Sequence, residues 1–391
     1  MNILLFSLAN LSTSTADAIT TLRTAKSLAD CGHTVTLVAP SQASNDFPID
    51  AGNATVSFHW NVVDFGLPNT FNTLVQVFQV SKLCRRAQAD TLYVRAATFT
   101  FLFGLWGRLS GRAKVVGEHH GWFEAERRSG GQHRWFAPIE GYFQVLDARM
   151  ADCVRTVVPG IRERLVNLGV NPARVFVVGN ACDTELIRPL PRDVALRRFD
   201  LPEQNLYLGF VGSLTIWQGL DEIVEGVGEV VKSHPEARLL IIGDGPQRAQ
   251  LEALVERKSL GGNIRFFGRM DHSDIAAVMS CFDIALIPTA DGEYRSIGRS
   301  PLKLREYAAA GRVVLAARIP AIEDLESEAW MHLFDAENPS NFVSAIDALA
   351  ARRDTFSDLG QCARRFAEDN YAWPIIIRKI VHQIESATGA T

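Results

Sequence analysis

The chain has 391 residues, 47% of them hydrophobic, with 40 basic and 44 acidic side chains and a formal charge of −4. That length suits two domains of ordinary size, and the charge balance excludes the strong basic excess of a dedicated nucleic-acid binder. Six cysteines (Cys31, Cys84, Cys153, Cys182, Cys281, Cys362) are scattered singly, without CxxC or metal-ligand spacing, which fits reduced cytosolic thiols. The opening "MNILLFSLAN" lacks the basic start of a signal peptide and reads as a first strand. The longest apolar run, "AATFTFLFGLWG" (96–107), is too short to cross a bilayer. It reads as a buried helix, with a membrane-surface contact as the alternative. The expected location is cytoplasmic, with room for a peripheral contact at the inner face of the cell membrane.

In chain order, the β-rich runs of the first half are "NILLFSL", "TVTLVAP", "VSFHW", "TLYVR", "KVVGEHH", "CVRTVVP" and "RVFVVGN". Those of the second half are "LYLGFVG", "RLLIIGD", "IRFFG", "IALIP", "VVLAA" and "MHLFD". Most are continuous in apolar residues rather than alternating, as strands covered on both faces are. Segments between them, such as "AITTLRTAKSLADCG" and "LDEIVEGVGEVVKSHP", carry helical spacing. Strand–helix alternation predicts an α/β architecture with right-handed crossovers. The series restarts after the Pro-rich connector "RPLPRD", so two Rossmann-like domains are expected, at 1–185 and 186–370. A C-terminal helix at 371–391, starting near Pro374, is expected to pack back toward the first domain. Ligands of such sheets sit at the carboxyl ends of the strands, which places the site in a cleft between the domains.

Three strand ends of the second domain could hold a phosphorylated ligand. In "GFVGSLTIWQGLDEIVEG", Gly212 and Ser213 follow a strand, Gln218 precedes the next helix, and glycine permits close approach of a ligand to the backbone. In "LLIIGDGPQRAQLEAL", Gly243, Asp244 and Gly245 form a tight turn before a helix that Pro246 could start. In "GRSPLKLREYAAAG", Ser300 is a good N-cap, Pro301 and Leu302 fit the first helical positions, and Gly311 is a stop. Arg299 and Lys303 crowd the end of that helix where the macrodipole is already positive, an arrangement that a bound diphosphate makes sensible. Lys303 and Glu306 lie one turn apart, either as an ordinary surface pair or with Glu306 accepting from sugar hydroxyls.

In the first domain, "VVGEHHGWFEAERRSGGQHRWF" ends a strand with Glu118, His119 and His120. Trp122, Arg127, Arg128, His133, Arg134, Trp135 and Phe136 follow in what reads as a loop, suited to an anionic acceptor or to lipid headgroups. Ser12, Thr13, Ser14 and Thr15 could cap the following helix or bind substrate, and Arg95 closes another strand. The absence of GxGxxG after the first strand argues against a dinucleotide fingerprint.

Taken in order, these segments resemble the retaining glycosyltransferases of family 4, in the branch with WQG and SPLK-type motifs. "LADCGHTVTLVAP", "GEHHG", "VFVVGNACDTELIRP", "FVGSLTIWQGLD", "IIGDGP", "IRFFGRM" and "SPLKLREYAAAGRVVLA" follow the family's order and spacing. The resemblance implies the GT-B fold, two Rossmann-like domains facing across a cleft. It implies a nucleoside-diphosphate sugar, UDP- or GDP-linked, bound by the second domain as a substrate, with no separate cofactor. It also implies a carbohydrate, lipid-linked or small-molecule acceptor held by the first domain, in bacterial-type glycan or glycoconjugate synthesis.

Carried over residue by residue, the resemblance puts His120 at the family histidine and Glu306 at the second of two glutamates eight positions apart. The first falls on Gly298, leaving Glu293 as the nearest upstream carboxylate. The family's usual basic pair for the diphosphate falls on Ser213 and Gln218, so Lys303, Arg299 and Arg295 are the available cations. The expected catalytic residues are His120, Lys303 and Glu306. The expected donor contacts are Gly212, Ser213, Gln218, Gly243, Asp244, Gly245, Arg269, Met270, Glu293, Arg299, Ser300, Pro301 and Leu302. The expected acceptor contacts are Ser14, Thr15, Arg95, Glu118, His119 and Trp122. No metal-binding loop of the DxD kind is present, so metal-independent transfer is expected. A nucleotide-sugar epimerase of similar shape and a non-catalytic nucleotide- or glycan-binding subunit are the alternatives.

Overall fold

The computed structural model describes residues 1–11, 15–39, 55–57, 72–130, 134–289, 302–336 and 338–389. The chain divides into two compact units. The first contains Met1–Gly179 and Trp373–Thr391, and the second contains Asn180–Ala372.

Each of the thirteen apolar runs contains a strand. The first unit holds β1 (Asn2–Phe6), β2 (Thr34–Val38), β3 (Thr55–Ser57), β4 (Thr91–Arg95), β5 (Lys114–His119), β6 (Cys153–Thr156) and β7 (Val175–Val177). They form one parallel sheet in the order β3-β2-β1-β4-β5-β6-β7. The second unit holds β8 (Leu206–Val211), β9 (Ala237–Ile242), β10 (Ile264–Gly268), β11 (Ile284–Ile287), β12 (Val313–Ala317) and β13 (Met331–Phe334), in the order β10-β9-β8-β11-β12-β13 and again parallel. Helical crossovers cover both faces, so a central strand such as β8 is buried at all six residues. Strand order reverses beside β1 and beside β8. At such a switch point the loops leave in opposite directions and open a crevice at the carboxyl ends.

Glycine sets the thickness of the second unit. Gly209, in the middle of β8, lies against the ring of Phe282, and a Cβ there would fall 2.2 Å from the ring carbon Cγ. Phe282 is itself buried and makes an edge contact with Tyr307, 6.2 Å between ring centres.

Several local readings change. "AATFTFLFGLWG" yields the helix Phe101–Ser110, but only Phe103, Gly104 and Gly107 are buried, while Leu105 is 41% and Leu109 80% exposed. Gly104 and Gly107 are the packing face: a Cβ at Gly104 would fall 2.6 Å from the backbone of Met150, and one at Gly107 2.5 Å from Val115. The glycines take the inside, so large aliphatic side chains point out. The presumed loop after β5 is largely helical, with Phe123–Gly130 and a short 3-10 turn Arg134–Phe136. The helix after "GDGP" starts at Arg248, two residues past Pro246, and the terminal helix is Trp373–Thr388.

Gly209→Ala is expected to overpack the β8–Phe282 contact at a cost of about 1–3 kcal/mol. Urea unfolding followed by far-ultraviolet dichroism should show a lowered midpoint, whereas an unchanged midpoint would mean that the ring yields freely.

Candidate functional site

The carboxyl end of the second unit's sheet is stripped of side chains. Gly212, just after β8, has φ +154, and Gly243, just after β9, has φ +128. A Cβ at Gly243 would lie 1.9 Å from the Gly212 carbonyl oxygen, and one at Gly245 would lie 2.4 Å from the Leu214 carbonyl oxygen. Only glycine allows these two turns to touch backbone to backbone. They are laced by Gly212 N–H to Ile242 O (2.9 Å), Leu214 N–H to Asp244 O (3.0 Å) and Gly243 N–H to Gly268 O (2.8 Å). The Asp244 carboxylate accepts from the Gly245 N–H at 2.8 Å, so it braces its own turn.

Over this platform lies the helix Leu302–Ala309. Its inward residue Tyr307 is fully buried, and its hydroxyl accepts the Val211 N–H at 2.8 Å, tying the helix to the last residue of β8. Burial pushes the Tyr307 phenol up. Lys303, on the first turn, donates from Nζ to Gln218 Oε1 at 2.7 Å, with Nζ 3.9 Å from the centre of the Phe210 ring. A Cβ on Gly212 would lie 3.1 Å from the same Nζ. The ammonium therefore stands over a glycine turn, held by a neutral amide and an aromatic face. Glu306 is half-buried one turn further on. It faces Cys182, whose thiol is pushed well up by burial and then by the Glu306 and Asp183 charges. Arg364 donates to the carbonyls of Thr184 (2.8 Å), Ile187 (2.6 Å) and Ala309 (2.8 Å), which fixes that segment against the end of the helix.

The other donor-side expectations are distributed around this core. Ser213 and Arg269 are exposed, Met270 and Leu302 are half-buried, and the helix Leu220–Ser233 begins after Gly219 without a side-chain cap. Glu293, Arg295, Arg299, Ser300 and Pro301 lie outside the described residues, as does Ser14.

In the first unit, β5 and β6 carry a buried ionic chain. Glu118 is 4% exposed and bonds to His120 Nε2 and to Arg155 Nη1 (2.8 Å). Arg155 also donates to the Val178 carbonyl (2.9 Å), the Gly179 carbonyl (2.7 Å) and the Tyr93 hydroxyl (3.3 Å). Burial opposes ionisation of Glu118, but at the acid pH where that carboxyl would titrate, the charge of the then protonated His120, the Arg155 charge and the His120 hydrogen bond win and hold it well below the usual range. Burial and then the Arg95 charge pull the His120 imidazole below its ordinary value, against the opposing pull of Glu118. A neutral His120 donating Nε2–H to Glu118 presents Nδ1 as an acceptor. Its side chain is 22% exposed. Arg95 bonds to Asp17 Oδ1 (2.5 Å) and Thr21 Oγ1 (3.2 Å), and Thr15 caps the helix Ala16–Asp30. Beside these residues, a cavity of about 410 Å³ is bounded by Thr98, Phe123, Arg127 and Glu140 among others.

Three expected acceptor contacts are engaged within the first unit instead. His119 is fully buried, with Nε2 on Asp147 Oδ2 (2.9 Å) and Nδ1 accepting from Gln144 Nε2 (3.0 Å), so neither ring nitrogen is left for a ligand. Trp122 is 3% exposed, with the Arg164 guanidinium 4.4 Å from its ring centre. Glu118 likewise acts on His120 rather than toward solvent. Sequence reasoning missed Arg155, Tyr307 and the Arg127–Glu140 pair, which also takes Thr98 Oγ1 at 2.9 Å. Arg155 left a readable signal: an arginine inside the apolar strand "CVRTVVP" must have a buried partner. Tyr307 left none, since a tyrosine on an Ala-rich helix reads as ordinary packing.

Residues 18–181 match the family described as a glycosyl transferase 4-like domain, and residues 205–352 match glycosyl transferases group 1. A 2-deoxystreptamine glucosyltransferase of Streptomyces kanamyceticus is 33% identical over 129 residues, which is 32% of this chain and 33% of that enzyme. The chain thus aligns with only about a third of that relative's length. A GDP-mannose-dependent alpha-(1-6)-phosphatidylinositol dimannoside mannosyltransferase of Mycobacterium tuberculosis is 24% identical over 347 residues, 86% of this chain and 84% of that enzyme. In fold, the chain is similar to a sucrose-phosphate synthase from Thermosynechococcus elongatus, with TM-score 0.76 and 17% identity over 100% of this chain and 99% of that one. It is also similar to Anabaena HepE in complex with UDP, with TM-score 0.74 and 17% identity over 99% and 100%. The first parallel α/β unit thus carries a glycosyl transferase 4-like domain and the second a glycosyl transferases group 1 domain, together in the GT-B fold.

Proposed function

We propose that the chain transfers a hexosyl group from a UDP- or GDP-linked sugar to a hydroxyl of a carbohydrate, lipid-linked or small-molecule acceptor, with retention at the anomeric carbon and without a metal ion. The observation that carries this reading is Lys303, an ammonium suspended over the Gly212 turn at the switch point of the second sheet, with Glu306 one turn away. As the anomeric C–O bond to the diphosphate breaks, charge builds on the leaving oxygens, and a fixed cation over a bare backbone is suited to receive it. A C–O bond forms to the acceptor oxygen, whose proton passes to the departing diphosphate. Glu306 accepts hydrogen bonds from the ribose hydroxyls, and Gly243 and Gly245 keep side chains clear of the nucleotide. His120 offers Nδ1 to a hydroxyl of the donor sugar. The acceptor occupies the first unit, beside Arg95 and the cavity at Arg127 and Glu140. The GDP-mannose dependence in the name of the mycobacterial relative and the UDP bound by HepE both support a nucleoside-diphosphate donor.

Lys303→Met is expected to weaken UDP or GDP binding at least tenfold, since a charge-assisted hydrogen bond contributes about 1.5–3 kcal/mol. Glu306→Ala should lower donor affinity and turnover together. Isothermal titration and a glycosyl-transfer assay read both. Wild-type affinity in both variants, or no nucleoside diphosphate that raises the melting temperature, sinks the reading.

A second expectation concerns pH. His120 works neutral, and its pKa is lowered, so activity should persist below the ordinary imidazole value of about 6.5 and fall only at more acid pH. Glu118→Gln removes the group that opposes that lowering. The acid limb should move further down, and kcat should drop about tenfold as the bond that orients the ring loses its charge assistance. An unmoved acid limb with unchanged kcat would remove Glu118 from this role.

The first unit also presents Leu105, Leu109, Ile139 and Tyr142 on two packed helices, and Trp135 just before the second, with Arg108 and Arg134 nearby in sequence. That combination suits peripheral contact with an anionic bilayer. Leu109→Glu with Trp135→Glu should abolish cosedimentation with phosphatidylglycerol vesicles, and equal retention of wild type and variant would refute the contact.

A further inference from the structure

A cavity of about 790 Å³ in the second unit lies at the opposite edge of its sheet from Lys303. It opens where β8, β11 and β12 begin, and its lining includes Asp283, just before β11, and Gly311, Arg312 and Val313 around the start of β12. Five arginines reach it: Arg192, Arg312, Arg353, Arg364 and Arg365. Three carboxylates face them, Glu203, Asp283 and Asp354. Asp283 is already committed, with Arg192 at 3.1 Å, Arg353 at 2.9 Å and the Tyr207 N–H at 2.8 Å. Arg364 pairs with Glu368 at 2.7 Å.

Arg312 and Arg365 stand differently. Among the described residues, no carboxylate lies within 4.0 Å of either guanidinium. Arg312 donates only to carbonyl oxygens, those of Ala310 (2.9 Å), Ser280 (3.2 Å) and Phe282 (3.1 Å). Burial lowers its pKa to about 10 against the opposing pull of the Asp283 charge, so it remains a cation at neutral pH with no carboxylate in direct contact. Such a charge is costly to bury, and an arriving oxyanion would offset that cost. The lining also offers apolar surface from Pro189, Pro191, Phe282 and Phe356, with Ser357 and Gln361 as neutral polar neighbours. The volume is that of a small-molecule site.

We propose that this cavity binds a small organic phosphate, its phosphoryl group on Arg312 and Arg365 and its apolar body against Phe356 and the two prolines. The site is separate from the donor platform, and the proposal does not depend on the transferase reading.

The test uses the full chain in phosphate-free buffer at fixed ionic strength, with phenyl phosphate and inorganic phosphate as probes. Phenyl phosphate is expected to raise the melting temperature progressively with concentration, by about 2 °C at roughly ten times its dissociation constant, and inorganic phosphate at the same concentration by clearly less. Arg365→Glu, an exposed change that leaves the core intact, should abolish the rise, and Arg312→Lys should weaken phenyl phosphate binding about tenfold. Lys303→Met should retain the full rise. No rise with phenyl phosphate, or a rise that survives Arg365→Glu, overturns the site. A rise lost in Lys303→Met assigns the probe to the donor platform and overturns it equally. Equal rises from both probes overturn the organic body as the recognised feature.

Discussion

The second unit depends on one contact that admits no side chain, the approach of the Gly243 backbone to the Gly212 carbonyl. With 1.9 Å between that oxygen and a Cβ on residue 243, the turns after β8 and β9 meet only because residue 243 is glycine. Their meeting gives the sheet a flat, polar rim of N–H and C=O groups. Above that rim, the helix Leu302–Ala309 is positioned by Tyr307 and by packing of its small residues. The result is that one ammonium, Lys303, projects over a surface that a ligand can reach.

The first unit solves a different problem. It carries charge inside a parallel sheet, where an unpaired ion is costly. Arg155 compensates Glu118 while also closing the carbonyls of Val178 and Gly179 at the end of the unit. Glu118 in turn fixes the ring of His120. The neighbouring imidazole, His119, is consumed by Asp147 and Gln144 and holds the helix Ala137–Met150 against β5. Two adjacent histidines thus point to opposite faces of the strand, as alternation requires, and only one remains open.

The strands were readable because both faces of a parallel sheet are buried, which leaves continuous apolar runs with few alternatives. Glycine positions at strand ends were readable for the same reason, since nothing else explains them there. Three features were not. The helix Phe101–Ser110 inverts the usual pattern, with glycine inside and leucine outside, so hydrophobicity pointed to the wrong face. His119 and Trp122 carry ligand-like chemistry, yet their partners come from residues 20 to 45 positions away, which no local pattern reveals. The role of Gln218 was read as a missing cation. In the structure it is the acceptor that aims the cation opposite it, a relation visible only once the two turns are brought together.

That amide has one more consequence. A carboxylate in its place would have neutralised Lys303, and a lysine would have repelled it. Glutamine does neither, and it does not titrate. The Lys303–Gln218 contact therefore keeps the same charge state across the neutral range. The Glu118–His120 contact on the other unit contains an imidazole, and its character changes when that ring takes up a proton. One aiming contact is thus indifferent to acid and the other responds to it.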